Sequence, residues 1–546
     1  MDAGRSEVLN GIRLPSRIGP ELVSQRHYEP LSGGRSRVDW GITALMVTVF
    51  LVGFFWFAHG NQFPCFYHPE EETRAKQVIR RDWDLHQPLL SAITTRVLKT
   101  AFHVPDDLQT VVQLGRTVSA LFAVGSIVCL GLAVYLIRNW AAAALLSFLL
   151  LCQHQFYDLA HTMGENTALM FGSSLTLLAI VLLEQRASVP RALFLGFSVA
   201  IAASAKYVGA LLLIPAFIAV LRSGGKEFRI NRIVEFGLGL LFAILVINFF
   251  AVADLQRAAV DLVQDLALAF GSTPYGVQSL VRGTYWLALW HNTTPVIWVM
   301  LGISLWVLWI RRRKLTMSEI LLVLIPLVYF LLLLFSPPAS DLRFLPVIGF
   351  TYAFAVVGVA SVAELLSTFS EQVRGWLLPA LVGVCLSACF FEFLRGYPYF
   401  MAFNWDQRLE MLTWMDGDIP PGSKVVADST VLLQNLLAET KQKYRFELLN
   451  DNGAIDPHNL TRIDQFVAAG VDYAVVSESD YAPLFAAVVS VALSNNQSFE
   501  AAKQFHSELF SKGTLVWSRA QGPVPYLQPG LKIYRLPKSG DRSGGQ

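Results

Sequence analysis

The chain has 546 residues, of which 54% are hydrophobic and 15% are charged. Soluble domains carry about 25% charged residues, and here the apolar residues fall in long runs. The composition therefore excludes an ordinary soluble protein and predicts a polytopic α-helical membrane protein. The formal net charge of +2 provides no basic surface for nucleic acid, and the five cysteines form neither a disulfide framework nor a metal motif.

The first part of the chain reads as a tail followed by a transmembrane domain. Residues 1–37 are polar and arginine-rich and predict a disordered cytoplasmic tail. Residues 38–395 consist of apolar runs of membrane length, and the polar letters SAKY at 204–207 divide one of them into a hairpin. About eleven spans result, at 38–60, 111–137, 140–157, 165–184, 190–205, 207–222, 234–253, 292–311, 317–335, 344–366 and 375–395.

The distribution of Lys and Arg predicts the orientation of these spans. Basic residues gather at alternate ends of the runs, including the cluster at 311–314, and this side is cytoplasmic by the positive-inside rule. The loop 61–110 and everything after residue 396 then lie on the opposite side. This arrangement favours a bacterial inner membrane with an exported C-terminal domain, or the ER membrane in a eukaryotic cell.

Residues 396–546 are more polar and predict a small soluble α/β domain. Buried strands are expected at KVVAD (424–428) and DYAVVS (472–477), and closing strands at GTLVWS (513–518) and LKIYRL (531–536). Helical periodicity is found at 430–440, 459–469 and 480–494. The predicted fold is thus a helical membrane domain with a small C-terminal α/β domain.

The loop 61–110 carries the strongest chemical signal. Three consecutive carboxylates, Glu70, Glu71 and Glu72, lie close in sequence to Arg74 and His86. Prolines on both sides favour a backbone that is held in place. Carboxylates at the mouth of a membrane bundle suit the deprotonation of an acceptor hydroxyl beside a lipid-linked donor, so this loop is the candidate catalytic segment.

Other ionisable groups at the outer ends of spans are further candidates. Lys206 and Arg343 are lone cations between apolar stretches, and they either snorkel to the interface or neutralise a phosphate. Near the start of the fourth span, four polar residues have helical spacing: Tyr157, Asp158, His161 and Glu165. Their pattern favours the lining of an acceptor cavity over a metal site. With His86 and Tyr207, the candidate cavity consists of His86, Tyr157, Asp158, His161, Glu165 and Tyr207.

These motifs resemble a known family. The relevant segments are YHPEEETRAKQV, QFYDLAHTMGENTALMF, ASAKYVGALLLIP and SDLRFLPVIGF. In their order and common side they are similar to those of membrane glycosyltransferases of the C-type fold. Within that fold they resemble the branch of protein O-mannosyltransferases and lipid A aminoarabinose transferases.

The resemblance implies an inverting glycosyltransferase that uses a polyprenyl phosphate sugar, either undecaprenyl or dolichyl. It implies that an acidic residue of the first loop is the general base, and this is Glu70 in one register and Glu71 in another. The family usually has Asp there, so Glu is a departure. Basic residues would hold the lipid phosphate, here Lys206 and Arg343 with Arg74.

The expected partners are this donor, an acceptor that is a lipid, a glycan or a protein, and membrane lipids. No cofactor is predicted, while a divalent metal is left open. Two other functions stay open as well: a transporter or flippase of lipid-linked precursors, and an inactive family member that serves as a binding subunit. The position of the charges at the outer ends of the spans, away from the bilayer midplane, favours the enzyme over the transporter.

Overall fold

A computed structural model provides the structure of the chain. It describes residues 40–63, 70–83, 85, 88–223, 229–257, 259–261, 263, 289–290, 292–312, 315–335, 345–366, 371–427, 444–448, 462–485 and 497–537. The chain divides into two units, Met1–Leu45 and Met46–Gln546. In the first unit, the described residues 40–45 are helical, and the second unit holds all other elements discussed below.

The membrane domain is built from helices that are predominantly apolar. Within the described residues, six helices are long and apolar enough to cross a membrane, and shorter apolar helices accompany them. The chain is therefore an integral membrane protein. The helices up to residue 418 are α1 (Trp40–Ala58), α2 (Glu70–Arg80), α3 (Leu90–Ala101), α4 (Leu108–Ile137), α5 (Trp140–Cys152), α6 (His154–Ala160), α7 (Asn166–Gln185), α8 (Val189–Ala205), α9 (Leu213–Arg222), α10 (Arg229–Ile247), α11 (Phe249–Ala253), α12 (Pro295–Arg311), α13 (Met317–Phe335), α14 (Leu345–Leu366), α15 (Glu371–Ala402) and α16 (Gln407–Asp418).

Small residues let neighbouring helices approach closely. Helix α4 packs on α7, α7 on α8, and α8 on α10. A Cβ added to Gly196 would lie 2.0 Å from the carbonyl oxygen of Phe236, and one added to Gly239 would lie 2.1 Å from that of Leu193. The two glycines thus allow α8 and α10 to touch backbone to backbone, as is common between membrane helices.

The predicted hairpin at 204–207 corresponds to a break in the helix. Helix α8 ends at Ala205, Lys206 has extended backbone, and a 3₁₀-helix over Tyr207–Leu212 leads into α9. The predicted span 140–157 differs from the structure, because it is divided at Gln153 into α5 and α6. The side chain of Gln153 accepts hydrogen bonds from the backbone N–H groups of residues 155 and 156 and so caps the new helix.

The segment 61–110, read from sequence as a charged loop, contains two amphipathic helices, α2 and α3. Helix α2 begins with three glutamates, which suit the positive end of the helix dipole. Pairs at i and i+4, Glu70 with Arg74 and Glu72 with Lys76, support it on its polar side. Ala75 and Val78 are fully buried on its other face. The charges that suggested a loop therefore stabilise a helix.

The C-terminal residues form a small mixed sheet. Its strands are β1 (Lys424–Ala427), β2 (Arg445–Leu448), β3 (Tyr473–Ser477), β4 (Thr514–Ser518) and β5 (Leu531–Arg535), in the order β2-β1-β3-β5-β4. Strand β1 is parallel to β2 and β3, while β5 is antiparallel to β3 and β4. Four of these strands match the predicted ones; β2 was not predicted, because its short segment RFEL does not show a buried pattern.

Helices cover both faces of this sheet, as an α/β arrangement requires. They are α16 on one face and α17 (Ile463–Ala468), α18 (Glu478–Phe485) and α19 (Gln497–Lys512) on the other. Successive residues of β3 alternate between the two cores, Val475 with Met415 and Val476 with Phe505. The predicted helix 459–469 corresponds to α17, that at 480–494 to α18 within the described residues, and that at 430–440 lies outside them.

Candidate active site

The two candidate bases of the first loop, adjacent in sequence, have different surroundings. Glu71 is fully buried and forms a bidentate ion pair with Arg116 of α4, at 3.0 Å from Nε to Oε1 and 2.7 Å from Nη2 to Oε2. The backbone N–H of Met163 also donates to Glu71 Oε1, at 2.9 Å. All three hydrogen bonds to Glu71 are donated by buried groups of the protein itself. In this conformation Glu71 therefore has a structural role.

Arg116 extends this anchor to the end of α1. Its Nη1 donates to the carbonyl oxygens of Asn61 (3.1 Å) and Phe63 (2.7 Å), and its guanidinium stacks 3.7 Å from the centre of the Phe63 ring. The pair with Glu71 thus joins α2, α4 and the residues after α1. Sequence reasoning missed Arg116, although a lone arginine within the long apolar run 108–137 is a recognisable signal.

Glu70 occupies a different position on the first turn of α2. Its side chain is 50% exposed and forms an ion pair with Arg74 one turn later. Arg74 also pairs with Glu165, at 2.6 Å, and donates to the carbonyl oxygen of Met163. These two ion pairs of Arg74, with Glu70 and Glu165, are called the clamp below. Gly164 leaves room for it, because a Cβ there would lie 3.1 Å from Arg74 Nη1. Arg74 therefore fixes an accessible carboxylate against the turn that precedes α7.

Lys206 lies on the same side of the bundle as this clamp. Its Nζ donates to Oδ1 of Asn166 at 3.1 Å, and Asn166 follows Glu165 directly in sequence. Glu165 and Asn166 thus connect Arg74 on one side with Lys206 on the other. The candidate base Glu70, through Arg74, and the candidate phosphate-binding cation Lys206 are consequently both linked to the N-terminal end of α7.

Tyr207 and Tyr157 make contacts that hold loops in place. The hydroxyl of Tyr207 donates to the carbonyl oxygen of Leu85 at 2.6 Å, which ties the α8–α9 break to the segment between α2 and α3. Tyr157 is buried, with its ring 4.3 Å from that of His161 and 4.7 Å from that of Phe400, centre to centre. These contacts account for the packing of both tyrosines.

His161 and Asp158 sit at the C-terminal end of α6, where the chain leaves the helix. Each ring nitrogen of His161 lies 2.7 Å from a backbone carbonyl oxygen, of Tyr157 and of His59. His161 is fully buried, whereas Asp158 is partly exposed. The helix ends at Ala160, so the continuous face that would place Tyr157, His161 and Glu165 in one row does not form.

Two predicted site residues, His86 and Arg343, lie outside the described residues. The assignment of His86 to the acceptor cavity and that of Arg343 to the donor phosphate therefore stay predictions. Within the part of the chain that the structure describes, no group of three His, Cys, Asp or Glu side chains is arranged to hold a metal ion.

A second buried polar cluster holds the start of α6 in place. Glu392 of α15 accepts hydrogen bonds from the hydroxyls of Tyr352 (2.6 Å) and Thr294 (2.7 Å). Two residues before Thr294, Asn292 lies with its Oδ1 2.9 Å from Nε2 of His154, the first residue of α6. Sequence reasoning missed this cluster because its members come from four helical segments far apart in the chain.

An apolar cavity of about 50 Å³ lies close to Lys206 in sequence. It opens between the 3₁₀-helix and α9 on one side and α13 on the other. Its lining is apolar apart from one tyrosine hydroxyl and comprises Leu211, Leu212, Ile214, Pro215, Leu324, Ile325, Val328 and Tyr329. Such a lining suits a hydrocarbon chain and offers nothing to a charged ligand.

Residues 106–251 match the model of the family described as dolichyl-phosphate-mannose-protein mannosyltransferase. This range includes Arg116, Glu165 and Lys206. No curated protein sequence matches the chain.

Several solved structures are similar. The apo oligosaccharyltransferase of Archaeoglobus fulgidus is 11% identical, with a TM-score of 0.52 over 88% of this chain and 73% of that one. ArnT from Cupriavidus metallidurans bound to undecaprenyl phosphate is 14% identical, with a TM-score of 0.48 over 93% of this chain and 100% of that one. The S. cerevisiae Pmt1-Pmt2 complex bound to the sugar donor is 15% identical, with a TM-score of 0.34 over 40% of this chain and 34% of that one.

The chain shares its fold with the archaeal oligosaccharyltransferase, and this is the C-type fold of membrane glycosyltransferases. Over residues 106–251 it also resembles the dolichyl-phosphate-mannose-protein mannosyltransferase family. The resemblance to the protein O-mannosyltransferases predicted from the sequence is confirmed over residues 106–251.

Proposed function

We propose that the chain transfers a hexose or a pentose from a polyprenyl phosphate to an acceptor hydroxyl, with inversion and with Glu70 as general base. The different placement of two adjacent carboxylates carries this proposal. A base must reach its substrate. Glu71 is enclosed by Arg116 and Met163, whereas the side chain of Glu70 is 50% exposed.

The reaction assigned to Glu70 is a single displacement at the anomeric carbon. The acceptor oxygen forms a bond to this carbon while the bond from the carbon to the phosphate oxygen breaks. The electron pair of the broken bond stays on the phosphate, and the acceptor proton passes to the Glu70 carboxylate. Arg74 holds that carboxylate in one position, which compensates for the longer and more flexible side chain of Glu compared with Asp.

Phosphate binding is assigned first to Lys206. A polyprenyl phosphate develops negative charge as it leaves, and a fixed cation at its oxygen stabilises this charge. Lys206 is joined through Asn166 and Glu165 to the clamp on Glu70, so base and cation are held on one framework. Arg343, whose planar guanidinium suits bidentate phosphate binding, is the second cation of the proposal.

The apolar cavity beside α9 is assigned to the prenyl chain of the donor. It follows Lys206 within a few residues and is lined by leucine, isoleucine and valine side chains with Pro215 and Tyr329. A phosphate held by Lys206 would leave its isoprenoid chain next to this surface, where burial of hydrocarbon adds affinity.

We place the site on the non-cytoplasmic side, with eleven spans and with residues 396–546 as an exported domain. Contacts at the opposite end of the bundle support this orientation. Arg138 pairs with Glu319, and Glu319 also lies 3.1 Å from Arg311. The basic ends predicted to be cytoplasmic therefore gather at one end of the helices, away from Glu70 and Lys206. A bacterial inner membrane suits this arrangement, as does the ER membrane in a eukaryotic cell.

The acceptor is a hydroxyl of a lipid, a glycan or a protein. Asp158 is partly exposed and can accept a hydrogen bond from this acceptor. The proposed acceptor cavity further includes His86, Glu165 and Tyr207, together with Tyr157 and His161, whose rings pack against each other. The proposed reaction requires no cofactor, and the use of a divalent metal ion is left open.

The test compares Glu70→Gln with Glu72→Gln. Gln is nearly the same size as Glu but cannot accept the proton, so Glu70→Gln should lower transfer by about 10²- to 10⁴-fold. Glu72 is a matched control, because it forms the same kind of i, i+4 pair, with Lys76. Membranes are supplied with radiolabelled polyprenyl phosphate donors carrying mannose, glucose or 4-amino-4-deoxyarabinose, and label in the acceptor is counted. Equal transfer by parent and Glu70→Gln would remove Glu70 as the base.

A further inference from the structure

The connection between β4 and β5 is a compact loop with a tyrosine at its turn. Gln521 and Pro529 form an antiparallel bridge across its base. At the turn, the backbone N–H groups of Leu527 and Gln528 donate to the carbonyl oxygen of Val524, at 3.0 and 2.8 Å. Val524 and Leu527 are buried, while Tyr526 between them is 37% exposed. The loop therefore presents the Tyr526 ring from a fixed backbone.

Gln407, the first residue of α16, attaches this loop to the end of the membrane domain. Its backbone N–H donates to Leu527 O at 3.0 Å, and its Nε2 donates to Ala520 O at 2.7 Å. Its Oε1 accepts a hydrogen bond from the N–H of Gly530 at 3.1 Å. Because the Gln407 side chain is buried, these bonds are shielded from water and hold the loop firmly.

A few residues before Gln407, Phe403 packs against the membrane site. Its ring lies 4.2 Å from that of His161 and 5.6 Å from that of Tyr157, centre to centre. A packed connection thus runs from α6 through Phe403 and Gln407 to the loop that carries Tyr526. It connects the C-terminal loop to the end of α6, which carries Asp158 and His161.

Two carboxylates of the membrane domain, Asp158 and Glu70, act electrostatically on the Tyr526 hydroxyl. Burial raises the pKa of Tyr526, and the negative charges of Asp158 and Glu70 raise this pKa further. The hydroxyl consequently keeps its proton at neutral pH. A protonated phenol supplies a hydrogen-bond donor, whereas the two carboxylates are hydrogen-bond acceptors.

We propose that Tyr526 is an acceptor-binding residue, whose hydroxyl donates a hydrogen bond to the acceptor group lying between Asp158 and Glu70. The proposal rests on the proposed transferase function and extends it: the C-terminal residues form one wall of the acceptor site. An acceptor hydroxyl can then donate its proton to Glu70 while its neighbouring oxygen accepts from Tyr526. Donor binding, which depends on Lys206 and the apolar cavity, does not involve this wall.

The test measures acceptor and donor affinities of Tyr526→Phe, which removes the hydroxyl and keeps the ring. Acceptor is supplied as membranes from cells that lack the enzyme, in increasing amounts, with the labelled donor at saturation. The loss of one hydrogen bond should raise the half-saturating amount of membranes roughly 10-fold. The Kd for undecaprenyl phosphate and the melting temperature should equal those of the parent. Tyr473→Phe, a hydroxyl removal on β3 of the same sheet, is the matched control and should behave as the parent.

The outcomes separate this inference from the proposed function. If the parent transfers sugar and Tyr526→Phe has the same half-saturation as the parent, Tyr526 does not bind the acceptor and only this inference fails. If donor affinity falls together with acceptor affinity, the loop supports the whole site and the inference also fails. If the parent transfers sugar from none of the donors, the proposed function is wrong, and this inference, which rests on it, is wrong as well.

Discussion

Replacing Glu71 with glutamine is expected to destabilise the protein rather than to remove a catalytic group. The glutamate accepts two hydrogen bonds from Arg116 and one from the backbone of Met163. A glutamine amide can satisfy one arginine N–H and the backbone, but its NH₂ then faces the other guanidinium N–H. The change therefore leaves a buried cation whose charge is no longer balanced.

The size of the effect follows from what Arg116 retains. Breaking a buried ion pair by removing one partner typically costs about 3–5 kcal/mol. Arg116 keeps the carbonyl oxygens of Asn61 and Phe63 and the face of the Phe63 ring. These contacts solvate the cation in part, so we expect the lower end of that range, about 3 kcal/mol.

The assay is the melting temperature of the purified protein in detergent, compared with that of Glu70→Gln and of a double variant. Glu71→Gln should melt clearly below the parent, and Glu70→Gln should melt close to it. Glu71→Gln combined with Arg116→Met should recover part of the loss, because no buried charge is left unpaired. A Glu71→Gln protein with parental stability, full donor binding and no transfer would refute this reasoning and would make Glu71 the base.

Two further predictions concern the donor and the topology. Lys206→Ala and Arg343→Ala should each weaken binding of undecaprenyl phosphate by about 1.5–3 kcal/mol. Arg343→Lys should recover only part of the lost affinity, since the planar guanidinium is lost. Unchanged Kd values in both alanine variants would show that these residues only anchor the chain at the membrane interface. A cysteine at the exposed Ser507, in a chain whose five natural cysteines are replaced, should react with an impermeant thiol reagent in intact cells or spheroplasts; labelling only after lysis would reverse the proposed orientation.

The sequence predicted the local features of the site better than its long-range contacts. Lys206 was singled out as a lone cation at a break between apolar runs, and the helix does break there. The charged segment after the first span was read as a loop, because α2 is polar on most of its surface and only a narrow stripe at Ala75 and Val78 is buried. Short amphipathic helices at a membrane surface lack the periodic apolar pattern that identifies longer ones.

The choice between Glu70 and Glu71 was left open for a physical reason. The two residues are neighbours of the same type, and sequence alone gives both the same chemistry. Consecutive residues on a helix point about 100° apart, so one side chain can face the interior while the other faces the site. Which one faces inward is decided by Arg116 and Met163, whose contacts with Glu71 cross distances in the chain that no local pattern reports.

The contacts of Arg74 indicate whether this arginine holds the candidate base or binds the donor phosphate. Its guanidinium is shared by two carboxylates, Glu70 and Glu165, so its positive charge is already balanced before any donor is present. A dianionic or monoanionic phosphate that drew Arg74 away would release the base from its clamp at the moment when it must be in place. Arg74 therefore serves the base better than the phosphate. In the proposed reaction, the developing charge of the leaving group is then stabilised by Lys206, whose Nζ donates to the neutral amide oxygen of Asn166, and by Arg343.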